Sequence, residues 1–205
     1  VQKNKLLSFL KSDPDDYYKT FTTIDLHARN VKSVDEYISL LSNSVSFFSA
    51  DEKRKIKKMI DEIDERIKDI KIDGFNGEKC SKLPWIIGCI DGDGYEGGLP
   101  HTRQCTIILP KSFIDMDTLV HEKVHVYQKI YQKEMQDYLS RFERKPKYEK
   151  TRANPDTNDW IYTDEKREYK CLYRSKKPKS IQDVTGSKYE HPFENLAYKV
   201  SSLFS

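Results

Sequence analysis

Asp117-Thr118-Leu119-Val120-His121-Glu122-Lys123-Val124-His125-Val126-Tyr127-Gln128 is the stretch on which the fold turns. Two imidazoles four positions apart lie on one face of a helix and can hold one metal ion between them. Neutral imidazoles suit Zn²⁺, which lowers the pKa of a bound water to about 7. Glu122, one step round the helix, can take a proton from that water and pass it to a leaving amine. From Val120, apolar and aromatic residues recur at Val124, Tyr127, Tyr131, Met135, Tyr138 and Phe142 with no Pro or Gly between them, which predicts one long helix. His121, His125 and Gln128 form the adjoining stripe, at the border of the buried face where a cleft can open. Asp117, one turn before His121, is an acceptor for an imidazole N–H or simply a carboxylate favoured at a helix start.

Working outward, His191-Pro192-Phe193-Glu194-Asn195-Leu196-Ala197-Tyr198 predicts a second helix. Pro192 suits its first turn, and Phe193, Leu196, Ala197, Val200, Leu203 and Phe204 keep a helical period. Glu194 is the candidate third ligand, and small Ala197 on the same stripe lets this helix approach the histidine helix closely. The competing role for Glu194 is a carboxylate capping its own helix start. His191 and Asp183 are rival ligands.

His121-Glu122-x-x-His125 resembles the signature of the zincin metallopeptidases, and Glu194-x-x-Ala197 is similar to the third-ligand context of the gluzincin branch. Thr118, Leu119, Val126 and Tyr127 follow the family's habit around the motif. Two positions depart from it: Lys123, where zincins usually have an uncharged residue, and Tyr198, where many gluzincins carry an Asp. The resemblance implies an α+β fold, with a zincin-like domain built from a small sheet with an edge strand, the histidine helix and a Glu-bearing C-terminal helix. It implies Zn²⁺ held by His121, His125 and Glu194, with Glu122 activating water. Tyr198, His191 or His101 would donate a hydrogen bond to the oxyanion, and the substrate would be a protein or peptide. In zincins the strand before the histidine helix is an exposed edge that an extended peptide joins by main-chain hydrogen bonds. Here that strand is expected at Gln104 to Leu109. Between Gly98 and Ala197 the chain also resembles metallopeptidase-like proteins of giant DNA viruses, through Leu99-Pro100-His101-Thr102-Arg103, Asn154-Pro155-Asp156-Thr157-Asn158-Asp159-Trp160 and Glu190-His191-Pro192-x-Glu194. That likeness implies a product made in host cytoplasm or packaged in the virion.

The 205 residues carry 34% charged side chains, a net charge of +3 and a mean hydropathy of −0.79, and no apolar run has the ~18 residues of a membrane span. No membrane association is expected. Cys80, Cys89, Cys105 and Cys171 show no Cys-x-x-Cys spacing, which points to free thiols in a reducing, intracellular setting. Residues 1–73 are expected to form a helical module and 74–205 the zincin-like domain. The module's helices are Lys3 to Leu10, Val34 to Ser42 after a Ser33…Glu36 capping box, and Asp51 to Ile72 after a Ser49…Glu52 box. Beyond them, Trp85 to Ile90 and Gln104 to Leu109 predict strands separated by glycine turns.

His101 and Arg103 are expected to overhang the cleft from the loop before the second strand. Arg141 to Lys179 holds 13 Lys/Arg against 7 Asp/Glu with interleaved aromatics; it reads as a flap over the cleft, and nucleic-acid binding is the alternative use. Asn154 to Asp159 is a turn, with strands expected at Trp160 to Tyr162 and Tyr169 to Arg174. A zinc-dependent metalloprotease is the first functional reading. Its rivals are a catalytically inactive zinc-binding viral structural or interaction protein, and a zinc hydrolase acting on a non-peptide amide.

Overall fold

In the computed structural model, which describes residues 1–185 and 189–205, Asp115 starts the histidine helix by accepting the Thr118 N–H at 2.8 Å. The order of elements begins with α1 (Lys3–Ser12), α2 (Thr23–Ala28), α3 (Val34–Ser44) and α4 (Ala50–Ile67). A short hairpin, β1 (Lys71–Ile72) and β2 (Phe75–Asn76), leads into α5 (Gly77–Ser81), then β3 (Ile87–Ile90), β4 (His101–Arg103) and β5 (Thr106–Pro110). The histidine helix is α6 (Met116–Ile130), followed by α7 (Gln132–Leu139). Next come β6 (Glu143–Pro146), β7 (Trp160–Thr163) and β8 (Glu168–Tyr169), and α8 (Pro192–Ser201) closes the chain. The architecture is α+β.

The caps explain several boundaries. Ser49 and Glu52 form a full capping box on α4, Ser33 accepts from the Glu36 N–H on α3, and an unexpected box at Thr22 and Asp25 opens α2. The long helix expected from Val120 to Phe142 is two helices. Tyr131 leaves the helical region at φ −95°, ψ 51°, and Glu134 at the start of α7 accepts from Tyr127 Oη at 2.8 Å. Met135 and Tyr138 still reach the core after this bend, so the apolar period survives it.

Three strands form the central sheet, in the order β3-β5-β4, with β3 parallel and β4 antiparallel to β5. The strand expected as the exposed edge, Gln104 to Leu109, is therefore the middle of the sheet, and β4 is the edge. Gln104, at φ +48°, is part of the turn that joins them. One face of the sheet sends Ile87, Cys89, Ile107 and Leu109 into a core shared with α4, α6 and α8. The other sends Ile90 and Ile108 toward α1 and α3. Residues 1–73 thus share both cores with the rest of the chain. Gly88 is needed where α1 crosses: a Cβ there would lie 2.5 Å from Leu6 Cδ1. The outer edge of β3 is covered by Ser44 to Ser46, which bridge to it through Ser46 N–H to Cys89 O and Asp91 N–H to Ser44 O.

The segment from Arg141 to Lys179 builds a second antiparallel sheet, β6-β7-β8, from Trp160 to Thr163 flanked by two short partners. No helix among the described residues is long and apolar enough to cross a membrane. All four cysteines are free.

Candidate metal centre

Helix α8 packs along α6, with the wholly buried Ala197 permitting the close approach, and this brings Glu194 to the two histidines. His121 Nε2 lies 3.2 Å from Glu194 Oε2, His125 Nε2 lies 3.4 Å from Glu194 Oε1, and the two Nε2 atoms are 3.1 Å apart. Metal–ligand bonds of about 2.0–2.1 Å in tetrahedral array place donor atoms roughly 3.3–3.5 Å from one another, so this spacing fits three corners of one coordination sphere. Among the described residues these three form the one group of His, Cys, Asp or Glu placed to hold a metal. Glu194 does not cap its own helix; His191 is the N-cap.

The surroundings orient two of the three candidate donors. Gln128 Oε1 lies 2.8 Å from His125 Nδ1, which therefore donates to it and turns Nε2 toward the cleft. The Gln128 amide in turn donates to Phe193 O at 3.0 Å and ties α6 to α8. Asn154 Nδ2 donates to Glu194 Oε1 at 2.9 Å and to Glu190 Oε2 at 3.1 Å. Burial opposes a charge on His125, yet the carboxylates of Asp156 and Glu194 outweigh it and push its pKa up to about 10. Burial likewise disfavours the Glu194 carboxylate, but His125 and His121 hold its pKa well below the usual range. Carboxylates that favour a cation this strongly suit a bound metal ion. Asp117 lines the cleft mouth and makes no hydrogen bond to His121 among the described residues.

Glu122 is buried beside the histidines, and Thr102 Oγ1 on β4 donates to its Oε2 at 2.8 Å. Burial, with the Asp156 carboxylate adding to it, pushes the Glu122 pKa up to about 7 against the pull of both imidazoles. Asp156 is the centre of a clamp. Its Oδ2 accepts the Thr102 N–H at 3.1 Å, its Oδ1 lies 2.8 Å from Lys129 Nζ on α6, and its own N–H donates to Asn154 Oδ1. Asn154-Pro155-Asp156 thus ties β4, α6 and α8 together.

The three candidate oxyanion donors part company. Tyr198 stands at the cleft, 45% exposed, with its ring edge-on to His121 at 4.6 Å between centroids. Burial and the nearby Glu194 push its phenol up to about 12, so it keeps its proton. His101 also lines the cleft, but its Nδ1 lies 3.1 Å from Leu99 O and must donate there, while its Nε2 accepts from Tyr95 Oη. Burial keeps this imidazole neutral, so no N–H is left for an oxyanion. His191 lies off the cleft: its Nδ1 accepts the Phe193 N–H as the cap of α8, and its ring packs against Tyr162 and Phe193. Arg103, expected over the cleft, is wholly buried between Asp13 and Asp15, over the ring of Tyr17. Asp183, the other rival ligand, accepts the Lys179 N–H and stands outside the donor group.

Sequence reasoning gave no site role to Thr102, Asn154, Asp156 or Glu190, although all four lie in the stretches that carry the viral resemblance. Read for structure, Asn154 and Asp156 carried a turn signal, and neither turn nor resemblance says which side chains they meet. No family model, no curated protein and no solved structure matches the chain.

Proposed function

We propose that the protein is a zinc-dependent peptidase of gluzincin type. The observation that carries this reading is the joint placement of His121, His125 and Glu194 with Glu122 beside them, a carboxylate that a purely structural metal site does not need. Zn²⁺ bound by the three would polarise a scissile carbonyl and bring its water's pKa to about 7. Glu122, held by Thr102, is the group that would accept a proton from the attacking water and return it to the leaving amine. Tyr198 Oη, protonated and at the rim, donates to the developing oxyanion. Asn154 and Gln128 hold Glu194 and His125 in place.

The test pairs two variants. Purified wild type is expected to bind one Zn²⁺ per chain, and His125→Ala to lose it together with thermal stability. Glu122→Gln leaves the ligands intact, so zinc content and Tm stay as in wild type while cleavage of a peptide library falls by at least ~10²-fold. Zinc-loaded wild type that cleaves nothing would favour the inactive zinc-binding protein, and Glu122→Gln that cleaves as well would show that the cleavage does not come from this site.

A further inference from the structure

The edge of the sheet beside the histidines is closed. Thr102 is the residue of β4 whose main-chain groups turn away from β5, and both are taken. Its N–H donates to Asp156 Oδ2 at 3.1 Å and its C=O accepts from Lys129 Nζ at 2.8 Å. Lys129 and Asp156 are themselves paired, so the two capping groups lock each other. Two residues earlier, the next position facing that side is Pro100, which has no N–H. Two residues later, Gln104 has already left the strand. Asp156 is held in turn by Asn154 and by the fixed φ of Pro155, and Thr102 is wholly buried. An extended polypeptide joining this edge would have to break a partly buried ion pair, one buried hydrogen bond and one partly buried hydrogen bond before making any of its own.

What remains open is a cleft of about 560 Å³, the size of a small-ligand pocket. Leu99, Ile181 and Val184 give it an apolar side. Asp117, Glu190 and the exposed Arg174 also line it, with the Glu190 carboxyl already accepting from Asn154. Groups of both signs match the ammonium and carboxylate ends of a free short peptide.

We infer that the site takes short peptides with free ends, held by their termini and side chains, and does not take the middle of an extended polypeptide. The inference rests on the hydrolase reading above, and it departs from strand addition as the mode of binding.

The zinc-loaded full chain is assayed on a library of free tetrapeptides and on the same sequences embedded in a long unfolded chain with blocked ends. In parallel, hydrogen exchange at the Thr102 amide is followed in wild type and in Asp156→Ala. The free peptides are expected to be cleaved with kcat/KM at least about tenfold higher, the scale of one buried hydrogen bond left unmade. The Thr102 amide is expected to exchange slowly in wild type and quickly in Asp156→Ala. Equal or faster cleavage of the long chain, with Glu122→Gln inactive, overturns the inference and leaves the hydrolase standing. Rapid Thr102 exchange in wild type overturns it without reference to activity. Cleavage of neither substrate overturns the hydrolase reading and this inference with it.

Discussion

Lys123 shows how a departure from a motif at one residue can be harmless. Its side chain runs away from the metal group to the opposite side of α6, where Nζ donates to Leu83 O at 2.5 Å and lies 4.2 Å from the centre of the Trp85 ring. Trp85 Nε1 in turn donates to Asp64 on α4. The charge thus anchors the helix to its neighbours and never faces the cleft. His191 is a second residue whose chemistry is spent on structure. Burial pushes its pKa down to about 3, and Nε2 is buried without a hydrogen-bond partner among the described residues. Between the ordinary value of 6.5 and about 3, the unfolded chain binds a proton that the folded chain refuses. Stability from neutral His191 is therefore complete above pH ~6.5 and is lost as pH falls below it. His191→Asn keeps a side-chain acceptor for the Phe193 N–H and removes the titration. From pH 7 to pH 5 the wild type should lose about 2 kcal/mol more stability than the variant, roughly 5 °C in Tm, measured by thermal melts of both at each pH. Parallel slopes would show that His191 is not held neutral.

At the scale of elements, the close crossing of α1 over β3 is set by Gly88. Gly88→Ala should destabilise by about 1–3 kcal/mol, because Leu6 must move to admit a methyl group. Combining it with Leu6→Ala, which empties that space, should cost less than the sum of the two single changes. Chemical denaturation of the four proteins reads the coupling, and strict additivity would mean that the sheet yields there instead of Leu6. The helices of this fold were legible wherever a cap coincided with an apolar period: Ser33, Ser49 and Pro192 each stand at an observed start. The bend at Tyr131 was not, because one residue leaving the helical region barely disturbs the recurrence of Tyr127, Met135 and Tyr138. The rank of β5 and β4 in the sheet was not legible either. An apolar run such as Thr106 to Pro110 says that a strand is buried, while its neighbours are chosen by pairing with residues far along the chain.

Across the whole molecule, the three candidate metal donors could be read because their spacing on α6 and the Pro192 start of α8 are local signals. The clamp that makes them one site could not. Asn154 contacts Glu194, and Asp156 contacts Thr102 and Lys129, across separations that no local pattern encodes. Yet this turn decides whether α6, α8 and β4 present their groups together, and it follows that metal affinity should respond to a residue that never touches the metal. Asn154→Ala removes the amide that Glu194 Oε1 accepts from, and also the Oδ1 that holds the Asp156 N–H. Zinc affinity should fall by about 10–100-fold, the usual effect of losing an orienting partner of a ligand. Since zinc bound to the folded chain alone adds stability in proportion to the logarithm of its concentration over Kd, the variant should need about 10–100 times more free zinc to reach the wild-type Tm. Competition with a chelator of known affinity, alongside melts across a zinc series, measures both. An unchanged Kd in a folded Asn154→Ala protein would mean that α8 alone fixes Glu194, and that the turn serves only to close the β4 edge.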